Sequence, residues 1–214
     1  GGIAMGRARQ HAEARQGERR RRLAHEAARL MAESGIRDYQ QAKRKAASRL
    51  GIHDEASQPR NQEIDEALRE YQRIFLGPAQ ADAVRIRREA AGRAMEFFAS
   101  FQPRLVGPVL DGTADARSPV SLHLHADDPE AVPRFLDEHD IPAQPRGRRV
   151  RLDRDRDLAT TAWVFEAEEL VFELTVLPVD VLRQAPLSPL DERPMARASL
   201  VQLRGLLAGG LPGP

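Results

Sequence analysis

The 214-residue chain contains no cysteine, few aromatic residues and no long apolar segment. Without cysteine it can form neither disulfides nor thiolate metal sites, which is typical of a cytoplasmic protein. No apolar run approaches the roughly 18 residues that a membrane helix needs, and no apolar signal core lies near the N-terminus. The phosphate-binding patterns GxxxxGK and GxGxxG are also missing. We therefore expect a cytoplasmic protein with no membrane partner.

Charge is distributed unevenly, although the formal net charge is only +1. Basic residues outnumber acidic ones two to one within residues 1–60, whereas acidic residues are in excess over the rest of the chain. This asymmetry indicates either a polyanionic partner for the basic segment or docking of that segment on the acidic remainder.

Helical periodicity dominates the first hundred residues. The four residues before Met5 resemble a tag remnant, so we begin the first domain at Met5. Asp38 and Asn61 are predicted N-caps, and glycines mark several helix ends. The predicted helices cover residues 19–33, 39–50, 61–77 and 79–101.

The pattern changes to alternation of apolar and polar residues after Pro103, which predicts strands. A turn is expected at Glu168-Glu169. The order of elements predicts an α+β fold with a basic helical region at 5–78, an α+β domain at 79–208 and a frayed tail at 209–214. The predicted strands are 104–107, 120–126, 148–152, 160–166 and 170–177, and shorter helical segments are expected at 129–139, 179–183 and 198–207.

The strand at 120–126 carries the most unusual polar pattern. Ser121, His123 and His125 alternate with apolar residues, so their side chains point to one face of the sheet. This face is the first candidate for a functional site.

The stretch Val106-Gly107-Pro108, followed after about ten residues by Pro119-Val120-Ser121-Leu122, resembles the nucleotidyltransferase superfamily that includes DNA polymerase beta. That family carries an apolar residue, Gly and then Gly or Ser. A strand with two carboxylates follows, and a third carboxylate lies on a later strand. Glu173, in the strand at 170–177, matches the third carboxylate, and the resemblance covers roughly residues 80–180. It implies a mixed-sheet fold, a catalytic role for Glu173 and nucleotide phosphates near Gly107, Gly112, Thr113, Ser118 and Ser121.

The sequence departs from this motif at three positions. Pro108 has no backbone N–H for a phosphate, and Pro119 and Ser121 stand where the family has its two metal-binding carboxylates. Nucleotidyl transfer uses two divalent cations roughly 4 Å apart, and magnesium requires hard oxygen ligands. Glu173 alone supplies too little charge, so we predict that the usual reaction is absent or very weak.

Other ligands could rescue a metal site. His123 and His125, with Glu173 on a neighbouring strand, would suit zinc or manganese better than magnesium. An active transferase could combine Glu173 with these histidines or with Asp111, using magnesium or manganese. The alternative is that both histidines are partly exposed strand residues without a metal, and that Gly112-Thr113 is a tight turn.

Basic residues in the helical region are candidates for binding nucleic-acid phosphates. The alternative is an ordinary solvated helical face. The candidates are Arg20, Arg21, Arg22, Lys43, Arg44, Lys45 and Arg49.

Three functional hypotheses follow. The first is a nucleotidyltransferase-like protein without its metal-binding pair, acting as a nucleotide-binding, nucleic-acid-binding or regulatory module. The second is an active nucleotidyltransferase with rearranged metal ligands, and the third is a non-enzymatic protein-interaction module. The sequence leaves open whether the chain is an enzyme.

Overall fold

A computed structural model describes residues 2–209, and the α+β class is confirmed. The chain divides into two compact units between Gly77 and Pro78, called here the helical unit and the sheet unit. The predicted tail at 209–214 lies outside the described residues except for Gly209. Of the helices between residues 2 and 209, none has both the length and the apolarity that a bilayer span requires.

The helical unit contains helices α1 (Gly2–Ser34), α2 (Tyr39–Leu50) and α3 (Asn61–Phe75). Asp38 caps α2, because its carboxylate accepts a hydrogen bond from the backbone N–H of Gln40 at 2.8 Å. Gly51 ends the same helix at a φ of 67°, where glycine avoids the strain of a side chain. The three helices pack mainly through small residues, and the core includes Leu23, Ala27, Ala28, Ala42, Ala46 and Ile64.

Two predictions in this unit are wrong in detail. Helix α1 begins well before the predicted residue 19. Its N-terminal part has strong helix formers such as alanine, arginine and glutamine but no apolar stripe, so periodicity gives no signal there. Asn61 is the first residue of α3 rather than its cap, and the backbone N–H of Arg60 donates to the carboxylate of Glu63 at 3.4 Å.

The sheet unit begins with α4 (Gly77–Phe97), whose first residue is the last of the helical unit. A 3₁₀ turn follows at Ala99–Phe101, so the predicted helix at 79–101 is interrupted near Phe98. The unit then contains β1 (Arg104–Val106), α5 (Pro108–Asp111), β2 (Val120–His125), α6 (Ala131–Glu138), β3 (Gln144–Arg151), β4 (Asp157–Ala167), β5 (Leu170–Leu177), a 3₁₀ turn at Val179–Leu182, and α7 (Leu200–Leu207).

The five strands form one mixed sheet in the order β1-β2-β5-β4-β3. Strands β2 and β5 are parallel, and all other neighbours are antiparallel. Strand β3 begins four residues before its predicted start, because it is an edge strand that tolerates Pro145. The short helix α5 was not predicted, and α7 begins at Leu200 because Ser199 caps it.

One face of the sheet is apolar and forms the core of the unit. Alternate residues of β2 and β5 point into this core, among them Leu122, Leu124 and Leu174, which are fully buried. They pack with residues of α4, α6 and α7, such as Met95, Leu136 and Leu203. Trp163 and Phe165 of β4 lie on the same face. The alternation of β2 therefore directs its polar residues to the opposite face.

The turn between β4 and β5 lies at Glu168-Glu169, where it was predicted. Both residues have positive φ angles, 57° and 64°, as a tight hairpin turn requires of its two central positions. Arg93 of α4 holds the turn through an ion pair with Glu168 at 3.0 Å.

Candidate functional site

The second face of the sheet, called here the polar face, collects the buried polar residues of the strands. Strand register sets their positions, because residues directly opposite each other point to the same side. The polar face includes Arg104 of β1, Ser121, His123 and His125 of β2, Glu173 and Thr175 of β5, and Arg146 and Arg148 of β3, and Gln144, Thr160 and Glu166 lie on the same side.

Ser121 and Glu173 lie directly opposite each other on the parallel strands β2 and β5. Gly107 lies beside them, since a Cβ at that position would be 3.8 Å from the Cβ of Ser121. Gly107 adopts a φ of 76° and a ψ of −158°, which is a region that glycine alone occupies readily. Three residues singled out by the motif therefore meet at one point of the polar face.

The carboxylate of Glu173 is held by arginine side chains. Arg146 donates to Oε1 at 3.0 Å, and a guanidinium nitrogen of Arg148 lies 3.8 Å from Oε2. Glu173 is only 3% exposed, whereas the two arginines are about half exposed and reach over β4 from the edge strand. Burying a carboxylate without such partners is costly, so the arginines stabilise it as an anion in this position.

The two histidines are buried, so the expectation that they are partly exposed is wrong. The Nδ1 atom of His125 lies 2.8 Å from the carbonyl oxygen of Gln102. A carbonyl only accepts hydrogen bonds, so Nδ1 carries the proton and Nε2 holds the lone pair in the neutral ring. Nε2 of His125 and Nδ1 of His123 are both buried without a hydrogen-bond partner among the described residues.

Burial and positive charge keep both imidazoles neutral. The pKa of His123 is lowered to about 3, mainly by burial and in addition by the charges of His125, Arg148 and Arg197. Burial also lowers the pKa of His125, and the hydrogen bond to Gln102 partly opposes this effect. Arg197 and Arg104 add to the lowering. The histidine end of the polar face therefore has a positive electrostatic environment.

The turn that was expected near nucleotide phosphates is held mainly by α4. Gln80 donates to the carbonyl oxygens of Gly112 and Ala114, both at 2.9 Å. Arg88 donates to the carbonyl oxygen of Leu110 at 2.7 Å, and the carbonyl oxygen of Ser118 accepts from Arg87 at 2.8 Å.

Hydrogen bonds within the turn use several of its polar groups. The Ser118 hydroxyl accepts from the backbone N–H of Asp115 at 2.9 Å, and the N–H of Thr113 donates to the carbonyl of Pro108. Of the five residues expected near phosphates, Gly107 and Ser121 lie side by side on the polar face. Gly112, Thr113 and Ser118 belong to this turn, and their predicted nucleotide contacts stay a prediction.

The residues present do not suit the two divalent cations that the family resemblance implies. Pro119 offers no side-chain ligand and Ser121 only a neutral hydroxyl, while Glu173 is paired with arginine. Within residues 2–209, no three His, Asp or Glu side chains are grouped so that they could hold a metal ion. Glu173, His123 and His125 thus do not form the rearranged site considered from the sequence, nor does Asp111 join them.

The basic residues of the helical unit fall into two groups. Three of them face acidic side chains: Arg20 lies 3.2 Å from Glu63, and Arg49 lies 3.2 Å from Glu26. Lys43 is half-buried near Glu63, and burial lowers its pKa. The remaining candidates, Arg21, Arg22, Arg44 and Lys45, are exposed on α1 and α2.

Four arginines on or beside the polar face were missed from the sequence. Arg148 belongs to the strand predicted at 148–152, Arg146 lies before its predicted start, and Arg104 precedes an apolar pair without any motif. Arg197 lies in the irregular segment before α7, next to Ala198, which bridges to Leu105 of β1. The excess of arginine in residues 146–151 was the only signal for any of them.

Comparison with known proteins adds no family to this description. No family model matches the chain, and no curated protein matches it.

Proposed function

We propose that the sheet unit is a nucleotidyltransferase-like domain that lacks metal-dependent transfer and binds a nucleotide or another phosphorylated ligand. The observation that carries this proposal is the meeting of Gly107, Ser121 and Glu173 at one point, with Glu173 already paired to arginine. This meeting of three motif residues supports the resemblance, and the arginines beside Glu173 support an anionic ligand rather than a metal.

The charge of the polar face supports an anionic ligand. Glu173 is the buried carboxylate of this face and two arginines contact it, whereas Glu166 is exposed near the end of β4. Arginine binds phosphate through paired N–H groups at a fixed spacing, without a metal. Ser121 is half-buried beside Gly107 and offers a hydroxyl that can donate to a phosphate oxygen.

Calorimetric titration of the full chain with ATP tests this function. We expect the same affinity in EDTA, in magnesium and in manganese, and no release of pyrophosphate. Binding that requires a metal, or pyrophosphate release in its presence, would favour an active transferase. Absence of binding by any nucleotide would contradict the proposal and favour a protein-interaction module.

A second candidate function belongs to the helical unit. Arg21, Arg22, Arg44 and Lys45 are exposed, and within residues 2–209 no hydrogen bond or ion pair engages their side chains. Such cations bind the phosphates of nucleic acids without sequence preference. The test is binding of the full chain to RNA and DNA over a range of salt concentrations.

Replacing these four residues by glutamine should weaken nucleic-acid binding and flatten its dependence on salt. The same change at Arg20, Lys43 and Arg49 should have less effect on the salt dependence, because these residues already face carboxylates. Equal effects of the two sets would contradict a specific role for the four exposed residues.

A further inference from the structure

Two guanidinium groups lie near each other at the β1 side of the polar face. Arg104 is directly opposite His123 in the register of β1 and β2, and Arg197 flanks the bridge between Ala198 and Leu105. Both side chains are half-buried. Burial lowers the pKa of Arg197, and the positive charge of Arg104 lowers it further. Two like charges are thus held together in a partly dry environment.

No carboxylate within residues 2–209 makes an ion pair with either arginine. Arg104 donates to the carbonyl oxygen of Pro103 at 3.0 Å. Arg197 donates to the carbonyl oxygens of Val181 and Leu182 at 3.0 and 3.2 Å. Carbonyls satisfy some N–H groups but do not neutralise the charge, and buried charges are normally paired.

Two buried nitrogen atoms on the same face also lack partners, namely Nδ1 of His123 and Nε2 of His125. His123 and His125 are 4% and 3% exposed, and Arg104 and Arg197 both act electrostatically on His125. Buried polar atoms are rarely left without a partner in native proteins. The unpaired charge and the unpartnered nitrogens occur together, and one ligand could satisfy both.

We propose that Arg104, Arg197, His123 and His125 form a binding site for a phosphate dianion, either free or as the terminal group of a larger molecule. Two guanidinium groups match the charge of a dianion, and they would repel a metal cation. The arginines are accessible from solvent, whereas the histidines lie deeper and would meet the inner phosphate oxygens.

Binding at this site requires a proton between the phosphate and His125. The neutral ring of His125 presents a lone pair at Nε2, which repels an unprotonated phosphate oxygen. The hydroxyl of HPO4²⁻ can donate to this lone pair, whereas a monoester dianion has no proton and binds only if the nitrogen is protonated. The groups that act on this ring are Arg104 of β1, Arg197 before α7, His123 on its own strand and the backbone of Phe101 and Gln102. Of these, only the backbone groups favour the charged ring, so the dianion must supply the compensating charge. We therefore expect each bound phosphate monoester to bring about the uptake of a proton.

The test is calorimetric titration of the full chain at about pH 8 with inorganic phosphate, which is then largely a dianion, and with a nucleoside monophosphate, whose second pKa near 6 makes it fully a dianion. The titration with the monophosphate is repeated in two buffers of different ionisation enthalpy. Saturable binding is expected for both ligands, with proton uptake for the monophosphate. Replacement of Arg104 by glutamine should weaken binding about tenfold or more, as for loss of a charge-assisted contact. Arg149→Gln, on an exposed arginine of β3, is the matched control and should leave affinity unchanged.

Absence of saturable binding, or equal weakening by Arg104→Gln and Arg149→Gln, would overturn the site. Binding of the nucleoside monophosphate without proton uptake would overturn the role of His125. A measurement on the unaltered protein guards against misfolded variants. In ¹⁵N-histidine spectra, the monophosphate should convert one Nε2 from the unprotonated to the protonated form.

Comparison of the two ligands distinguishes free phosphate from the terminal phosphate of a larger molecule. If the nucleoside monophosphate binds more tightly than inorganic phosphate, the site also recognises the group attached to the phosphate. The inference does not rest on the proposed nucleotide function. Failure of Arg104→Gln to weaken phosphate binding would leave ATP binding near Ser121 and Glu173 untouched.

Discussion

The guanidinium of Arg146 lies 3.0 Å from Oε1 of Glu173, although β4 separates the strands that carry the two residues. In the family that the motif resembles, the corresponding carboxylate binds metal. Here arginine already compensates the charge of Glu173, so this buried carboxylate does not attract a cation. Arg104, Arg146 and Arg148 of the same face attract an anion instead.

Loss of Arg146 should destabilise the protein more than loss of a neighbouring arginine. Arg146→Met leaves a nearly buried carboxylate with Arg148 at a longer distance, and we expect a cost of about 1–3 kcal/mol in the free energy of unfolding. Arg149→Met removes an exposed pair with Asp157 at 3.8 Å, for which about 0.5 kcal/mol or less is expected. Urea denaturation measures both, and equal costs would contradict the ion pair as described.

Mild acid should destabilise the fold through His123. Its folded-state pKa of about 3 lies below the unfolded value, so the unfolded chain binds more protons as pH falls from about 6.5, and stability decreases. For one titrating group, the free energy of unfolding falls by at most about 1.4 kcal/mol per pH unit. His123→Asn should reduce the slope of unfolding free energy between about pH 7 and 5, a range above the carboxylate pKa values.

The matched control for this experiment is His53→Asn, because His53 is exposed in the loop after α2. If His123→Asn leaves the pH dependence of the unfolding free energy unchanged, His123 is not the buried neutral ring of the structure. The same conclusion follows if His53→Asn reduces this pH dependence as much as His123→Asn does.

The two glycines of the segment after β1 should respond differently to alanine. Gly107 has a φ of 76° with an extended ψ, where alanine is strongly disfavoured, whereas Gly112 at φ 82° and ψ 12° lies near the left-handed helical region. A Cβ would meet nothing closer than 3.6 Å at either position, so backbone strain decides the outcome. We expect Gly107→Ala to cost about 2–3 kcal/mol and Gly112→Ala about 1 kcal/mol, and the reverse order in urea denaturation would contradict this view.

Restoring the missing carboxylates should create a metal site. Pro119→Asp/Ser121→Asp would place one acidic side chain on β2 directly opposite Glu173 and another just before the start of that strand. Their mutual repulsion should lower the melting temperature, and manganese should raise it again because a ligand that binds the folded state stabilises it. Pro119→Ala/Ser121→Ala is the control and should not respond to manganese. A folded aspartate variant that ignores manganese would show that the motif has been aligned incorrectly.

Local features of this fold could be predicted from the sequence, whereas its long-range relationships could not. The strand Leu170–Leu177 has the predicted bounds because the segment is rich in β-branched and aromatic residues, which favour strands. The start of α1 was missed because an exposed helix has no apolar stripe. That Arg146 reaches Glu173 depends on the order of β5, β4 and β3, and no local pattern encodes this order.

The histidines illustrate the same limit. Alternation placed Ser121, His123 and His125 on one face, but burial depends on what covers that face. Arg197 lies in an irregular segment more than 70 residues away from His123, and the bridge between Leu105 and Ala198 holds its chain beside β1.

Anomalous X-ray scattering from crystals soaked with manganese and ATP tests the central claim most directly. The structure predicts no manganese peak between Ser121 and Glu173, with the carboxylate of Glu173 still bonded to Arg146. One or two ordered manganese ions at that point, with Arg146 displaced, would contradict the claim that this face binds phosphate without a metal.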